Sequence, residues 1–168
     1  MAVQHALLFG KMDSVRVFPC WRHAFSKDVD LVPFKDRVEM ARLAFVGDPR
    51  IVVDDLEIRL WTCHTIDLIK SVKETEPETD FVLIIGSDNL AVWQKWHRWQ
   101  DIDRMVGKFI VPRQGSTDSP WAIPDINSTE IRKWISENEW EKVEKTVPPE
   151  VVAFIRNKGF WQGQLRKD

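Results

Sequence analysis

The sequence predicts an α/β protein, a doubly wound parallel sheet with helices on both faces. Three observations carry this. Phe81-Val82-Leu83-Ile84-Ile85 is a run of five apolar residues ending at Gly86, the pattern of a central parallel strand buried on both sides. Shorter apolar runs recur at Val15-Arg16-Val17-Phe18, Ile51-Val52-Val53 and Lys108-Phe109-Ile110-Val111. Stretches of helical period separate them, and strands alternating with helices imply a parallel sheet.

Taken in order, residues 2–9 read as a helix with Gly10 as its stop. The strand from Val15 ends at Pro19, which lacks the donor a strand needs. A long connection over 19–32 follows. Phe34, Val38, Ala41 and Phe45 then share one helical face, closed by Asp48-Pro49. After the short strand at Ile51, the stripe Ile66, Ile69 and Val72 marks another helix. A Trp-rich helical stretch over 89–105 follows the central strand. Asn127-Ser128-Thr129-Glu130 matches a capping box opening a helix that carries Ile131, Trp134 and Ile135. The last helix has Pro148-Pro149 at its start, Val152 and Ile155 inside, and Gly159 at its stop.

The chain has 168 residues, which fits a single domain over residues 1–168 with a real core. Lys and Arg total 24 against 26 Asp and Glu, a net charge of −2. Such a balance offers no broad basic field for a nucleic-acid backbone. Nine Trp and nine Phe with no Tyr suit core packing, with base stacking as the other use of a Trp face. Cys20 and Cys63 have neither disulfide-framework nor zinc spacing, so a reducing compartment is expected. The first ten residues show no basic leader or small-residue cleavage site. No apolar run approaches a membrane span. Cytoplasm is the expected location; the oligomeric state stays open.

In a doubly wound sheet ligands sit beyond the carboxyl ends of the strands. Gly86-Ser87-Asp88, the His23–Lys27 loop and Pro112-Arg113 all follow predicted strands and can converge on one crevice. Gly86 lets backbone approach a ligand closely. Asp88 either accepts hydrogen bonds from ribose hydroxyls or caps the Trp-rich helix. At Asn127–Arg132 a helix start offers free N–H groups, Ser128 and Thr129 add hydroxyls, and Arg132 adds a fork of donors one turn on, a set suited to phosphate or to an ordinary capped surface helix. His23 and Lys27 are two potential cations on a loop, suited to phosphate or to solvent. Trp93, Trp96 and Trp99 recur every three residues, so they cluster on one side of a helix, and periodicity does not choose which of them faces a ligand.

These segments together resemble the bacterial nicotinate/nicotinamide mononucleotide adenylyltransferase family, from Met1 to about Trp161. The stretch from Phe81 to Leu90 followed by Trp96 carries the likeness, and so does Ile126-Asn127-Ser128-Thr129-Glu130-Ile131-Arg132, which resembles the family's I-S-x-T-x-I-R. His23-Ala24-Phe25-Ser26-Lys27 is similar to the family's His/Lys loop. Cys63-His64-Thr65-Ile66-Asp67 resembles S-Y-T-x-D with Cys for Ser and His for Tyr. The resemblance implies a Rossmann-like fold of nucleotidylyltransferase type. It implies adenylyl transfer from ATP to nicotinate or nicotinamide mononucleotide, giving the dinucleotide and pyrophosphate in NAD biosynthesis, with Mg²⁺ accompanying ATP. By the same resemblance Gly86, Asp88, Ser128, Thr129 and Arg132 bind ATP, and His23, Lys27, Thr65 and Trp96 bind the mononucleotide.

The family begins with a strand and a Gly-rich loop ending in H-x-G-H, and this sequence contains neither. Its first residues match the helix that follows that loop, so no catalytic residue and no metal ligand is assigned. His5 falls inside the expected helix and does not substitute. Loss of a middle strand leaves unpaired edges, which are aggregation-prone. The favoured expectation is therefore a translation start upstream of Met1, against a truncated member. The alternative functions are a nucleotide-binding protein of the same fold without turnover and another adenylyltransferase, such as one for pantetheine phosphate.

Overall fold

The computed structural model describes residues 1–22 and 31–163. They divide into two compact units, the first built from residues 1–22 and 50–125, the second from 31–49 and 126–163. In the first unit α1 (Ala2–Phe9) leads to β1 (Val15–Val17), and β1 pairs in parallel with β2 (Ile51–Val53). A short helix α3 (Leu56–Arg59) and the longer α4 (Thr65–Thr75) precede β3 (Val82–Gly86). A 3-10 stretch, Ser87–Lys95, and α5 (Trp99–Met105) then return the chain to β4 (Gly107–Val111), which pairs in parallel with β3. The second unit is helical: α2 (Phe34–Ala44), α6 (Ser128–Ser136), α7 (Trp140–Glu144) and α8 (Pro149–Lys158).

The α/β class with parallel strands holds, and its sheet differs in one respect from the expectation. Among the described residues the strands form two sheets of two strands each, β1 with β2 and β3 with β4. β3 is therefore an edge and not a central strand. Val82 is 43 % exposed, and only Ile85 of that run is buried. Among the described residues no strand lies on the far side of β3 from β4.

The core of the first unit gathers Ile66 and Ile69 of α4, Ile85 of β3, Trp93, Ile102 and Val106. Trp96 and Trp99 pack on it, which accounts for their three-residue spacing. The Trp-rich stretch is not one helix. It breaks at Arg98, which adopts a left-handed φ of 55°, between the 3-10 stretch and α5. In the second unit Ile135, Val143, Val151, Val152 and Ile155 form a core against which Met40, Leu43 and Ala44 of α2 pack. The buried carboxylate of Asp36 is paired with Lys158 at 3.1 Å.

Several helix ends follow the sequence signals, whereas α2 ends at Ala44, short of Phe45 and of the expected stop at Asp48-Pro49. Asn127 caps α6 by accepting from the Glu130 amide at 3.0 Å. Gly159 ends α8 with a left-handed φ of 65°. Gly10 ends α1 with φ −86°, open to any residue. Glycine is needed there for space, since a Cβ would lie 2.6 Å from the Ala6 carbonyl oxygen and 3.2 Å from the Phe109 ring.

Candidate active site

β3 and β4 bring their carboxyl ends side by side, with Gly86 opposite Val111. Two residues past each end a carboxylate meets a guanidinium: Asp88 Oδ1 lies 3.6 Å from Arg113 Nε. Arg113 Nη2 reaches Asp125 Oδ1 at 3.0 Å. The Arg113 side chain is 20 % exposed, Asp88 49 % and Asp125 63 %. Hydroxyls hold the two loops together. Ser87 Oγ accepts the Arg113 amide at 2.9 Å and donates to Ser116 Oγ at 2.5 Å, and Ser116 donates to the Arg113 carbonyl at 3.0 Å.

This geometry removes the helix cap from the two uses of Asp88. Its side chain does not cap the 3-10 stretch, whose first residue is Ser87. It faces Arg113 and keeps half its surface, so it can accept hydrogen bonds from ligand hydroxyls. Gly86 has φ −73°, which any residue can adopt. A Cβ there would overlap the Asp88 carboxylate and stand 2.9 Å from Arg113 Cδ. Its smallness keeps the pair in place.

A cavity of about 590 Å³ opens elsewhere in the first unit, and both Thr65 and Trp96 line it. Thr65 is the first residue of α4, whose start is tied down by Thr62 Oγ1 donating to Asp67 Oδ2 at 2.6 Å. Trp96 packs on Trp93 with ring centroids 5.1 Å apart, and its Nε1 is buried without a hydrogen-bond partner. An indole N–H in that state is a donor awaiting an acceptor. His64 and His97, neighbours in sequence of Thr65 and Trp96, stack with centroids 4.3 Å apart. His5 is spent on packing between Phe9 and Phe109, at 4.6 and 5.9 Å.

In the second unit Ser128 and Thr129 are exposed at the start of α6, and Arg132 Nη2 donates to Thr129 Oγ1 at 3.1 Å. The helix start, two hydroxyls and a guanidinium thus sit within one turn, the donor set an anion needs. His23 and Lys27 lie outside the described residues. No group of three or more His, Cys, Asp or Glu gathers among the described residues. No described helix is long and apolar enough to cross a membrane.

A family model described as cytidylyltransferase-like matches residues 10–134. The protein named probable nicotinate-nucleotide adenylyltransferase of Anaeromyxobacter sp. (strain K) is 34 % identical over 169 residues, covering 97 % of this chain and 88 % of the relative. The chain belongs to the nicotinate-nucleotide adenylyltransferase family. It is accordingly a nucleotidyltransferase of that fold. The similarly named protein of Enterococcus faecalis is 29 % identical, covering 92 % of this chain and 74 % of the relative. Among solved structures, Plasmodium falciparum nicotinic acid mononucleotide adenylyltransferase complexed with NaAD superposes with a TM-score of 0.75 at 20 % identity. That match covers 94 % of this chain and 89 % of the other, and it supports the fold.

Arg113 was visible in the sequence only as a residue following a strand. Its pairing with Asp88 and Asp125 was not legible there, because α5 and β4 separate Asp88 from Arg113 and an irregular loop separates Arg113 from Asp125. The signal that existed was positional, since Arg113 follows β4 as Asp88 follows β3.

Proposed function

We propose that the protein transfers the adenylyl group of ATP to nicotinate mononucleotide in NAD biosynthesis, with nicotinamide mononucleotide as the competing acceptor. The observation that best supports this is the joint presence of Thr65 and Trp96 on one cavity, with Trp96 Nε1 lacking an acceptor. A buried N–H gains most from a charged acceptor, which favours a pyridine carboxylate over a carboxamide. The names of the relatives point the same way.

In the reaction an oxygen of the mononucleotide phosphate attacks the α-phosphorus of ATP. The bond from that phosphorus to the bridging oxygen breaks, and pyrophosphate leaves. No enzyme nucleophile is required, so the protein's work is positioning and stabilisation of charge. Asp88 is proposed to accept from ribose hydroxyls, with Gly86 leaving it room. Ser128, Thr129 and Arg132 are proposed to donate to phosphate oxygens. Thr65 and Trp96 would orient the pyridine ring, and His23 and Lys27 would lie near phosphate.

The test is pyrophosphate release from ATP with each mononucleotide in turn. Release with nicotinate mononucleotide above all is expected; release only with pantetheine phosphate would refute the substrate. Arg132→Ala is expected to raise the KM for ATP about tenfold, roughly 1.4 kcal/mol, with an unchanged melting temperature. An unaltered KM and kcat would remove Arg132 from phosphate binding. ATP binding with no pyrophosphate release for any acceptor would overturn the reading.

A further inference from the structure

The backbone just past α3 has a conformation suited to glycine, and a tryptophan holds it. Two amides close the helix: Trp61 N–H donates to the Ile58 carbonyl at 3.2 Å, and Thr62 N–H to the Glu57 carbonyl at 3.1 Å. This pair of bonds places its first donor in the left-handed region, where glycine is the usual occupant. Trp61 takes that position with φ 56°, a strained conformation for a bulky side chain. Burial does not offset the strain, because Trp61 is 69 % exposed.

What the strain secures is a stacked pair of indoles. The Trp61 ring lies against Trp21 with centroids 4.2 Å apart and planes tilted by 41°. Trp21 is anchored through its amide, which donates to the buried carboxylate of Glu57 at 2.6 Å. The Arg22 guanidinium stands 4.1 Å from the Trp21 centroid and 5.9 Å from that of Trp61. It pairs with no carboxylate among the described residues. Cys20 and Glu57 line the cavity of Thr65 and Trp96, whereas Trp21, Arg22 and Trp61 do not. The indole pair is therefore a separate surface outside that cavity.

We propose that Trp61, backed by Trp21 and flanked by Arg22, is an outer binding site for a ribosylated pyridinium ring that carries a phosphate. The chemistry matches at both ends. An indole face is electron-rich and attracts a cationic ring, and a pyridine nitrogen bonded to ribose bears that positive charge. A guanidinium offers a phosphate its fork of donors. The choice of a pyridinium among flat rings rests on the acceptor proposed above, whereas the strained, exposed indole stands independently of it.

The probe is nicotinate mononucleotide, titrated by calorimetry into the full chain and into Trp61→Gly. Glycine suits the backbone and removes the ring, so the variant should melt no lower than the parent while losing one binding equivalent. Trp61→Phe keeps a ring and should restore that equivalent, and Arg22→Ala should weaken it about tenfold. The same number of equivalents with the same Kd in Trp61→Gly would overturn the proposal. A lower melting temperature in that variant would also overturn it, by making the indole pair a structural stack. AMP has the phosphate but a neutral ring, and should bind this site about tenfold more weakly; equal binding would overturn the choice of a pyridinium. Pyrophosphate release reads the acceptor reaction separately. Its absence, with the Trp61-dependent equivalent still present, would refute the proposed function and uphold the outer site.

Discussion

Asp88 and Arg113 show how a site residue can be held without being buried. Each carries a charge near the end of a strand, and each is more open than a core residue, so the attraction between them is worth only a few tenths of a kcal/mol to stability. Its value is in orientation: the pair fixes a half-exposed carboxylate beside the end of β3. Gly86 is the residue on which that arrangement rests. Gly86→Ala is expected to leave stability within about 1 kcal/mol of the parent, since the group it meets first is the end of the Asp88 side chain. The displaced carboxylate should raise the KM for ATP several-fold, with kcat less affected. A large fall in melting temperature with normal kinetics would show that Gly86 serves packing and not the site. Gly10 is the contrasting case, a glycine that sequence reading placed at a helix stop and that the structure needs for its missing Cβ beside Ala6 and Phe109.

Among elements, those with a long period or a two-ended signal were readable. The α4 stripe is buried at Ile66, Ile69 and Val72, as its 3.6-residue spacing required. The α8 helix runs from Pro149 to Lys158 and stops at Gly159, as its proline and glycine predicted. The short helices α3 and α7, of four and five residues, passed unread because so few positions cannot show a period. The break at Arg98 was equally silent. An arginine carries no local sign of left-handed backbone, and the tryptophans on either side read as one continuous helix. α6 joins local signal to proposed function, because the cap that starts it also sets the positions of Ser128, Thr129 and Arg132. Asn127→Ala should cost about 1 kcal/mol, read as a lower urea midpoint with unchanged slope. Asn127→Ser should recover most of it. Full stability in the alanine variant would mean the observed hydrogen bond does not hold the helix start.

For the molecule as a whole, each unit has its own buried cluster, one around Ile66 and Ile102, the other around Ile135 and Val143. Ile66→Ala, at 0 % exposure, should cost about 2–5 kcal/mol and speed amide exchange first in α4 and β3. Val143→Ala, also at 0 % exposure, should cost roughly 2 kcal/mol and act first on α6 and α8. Identical exchange changes across both units for either variant would show that the clusters do not unfold separately. By itself the sequence determined the α/β class, most helices and the four strands among the described residues, and it named candidate site residues. Hydrophobic period, caps and turn residues are local properties, and they survive without knowledge of the rest of the chain. Only the tertiary structure decided that β3 is an edge, that Arg113 holds Asp88, and that Thr65 and Trp96 share a cavity. Those facts depend on which distant segments meet, and strand neighbours and loop-borne charge pairs leave no periodic trace in the order of residues.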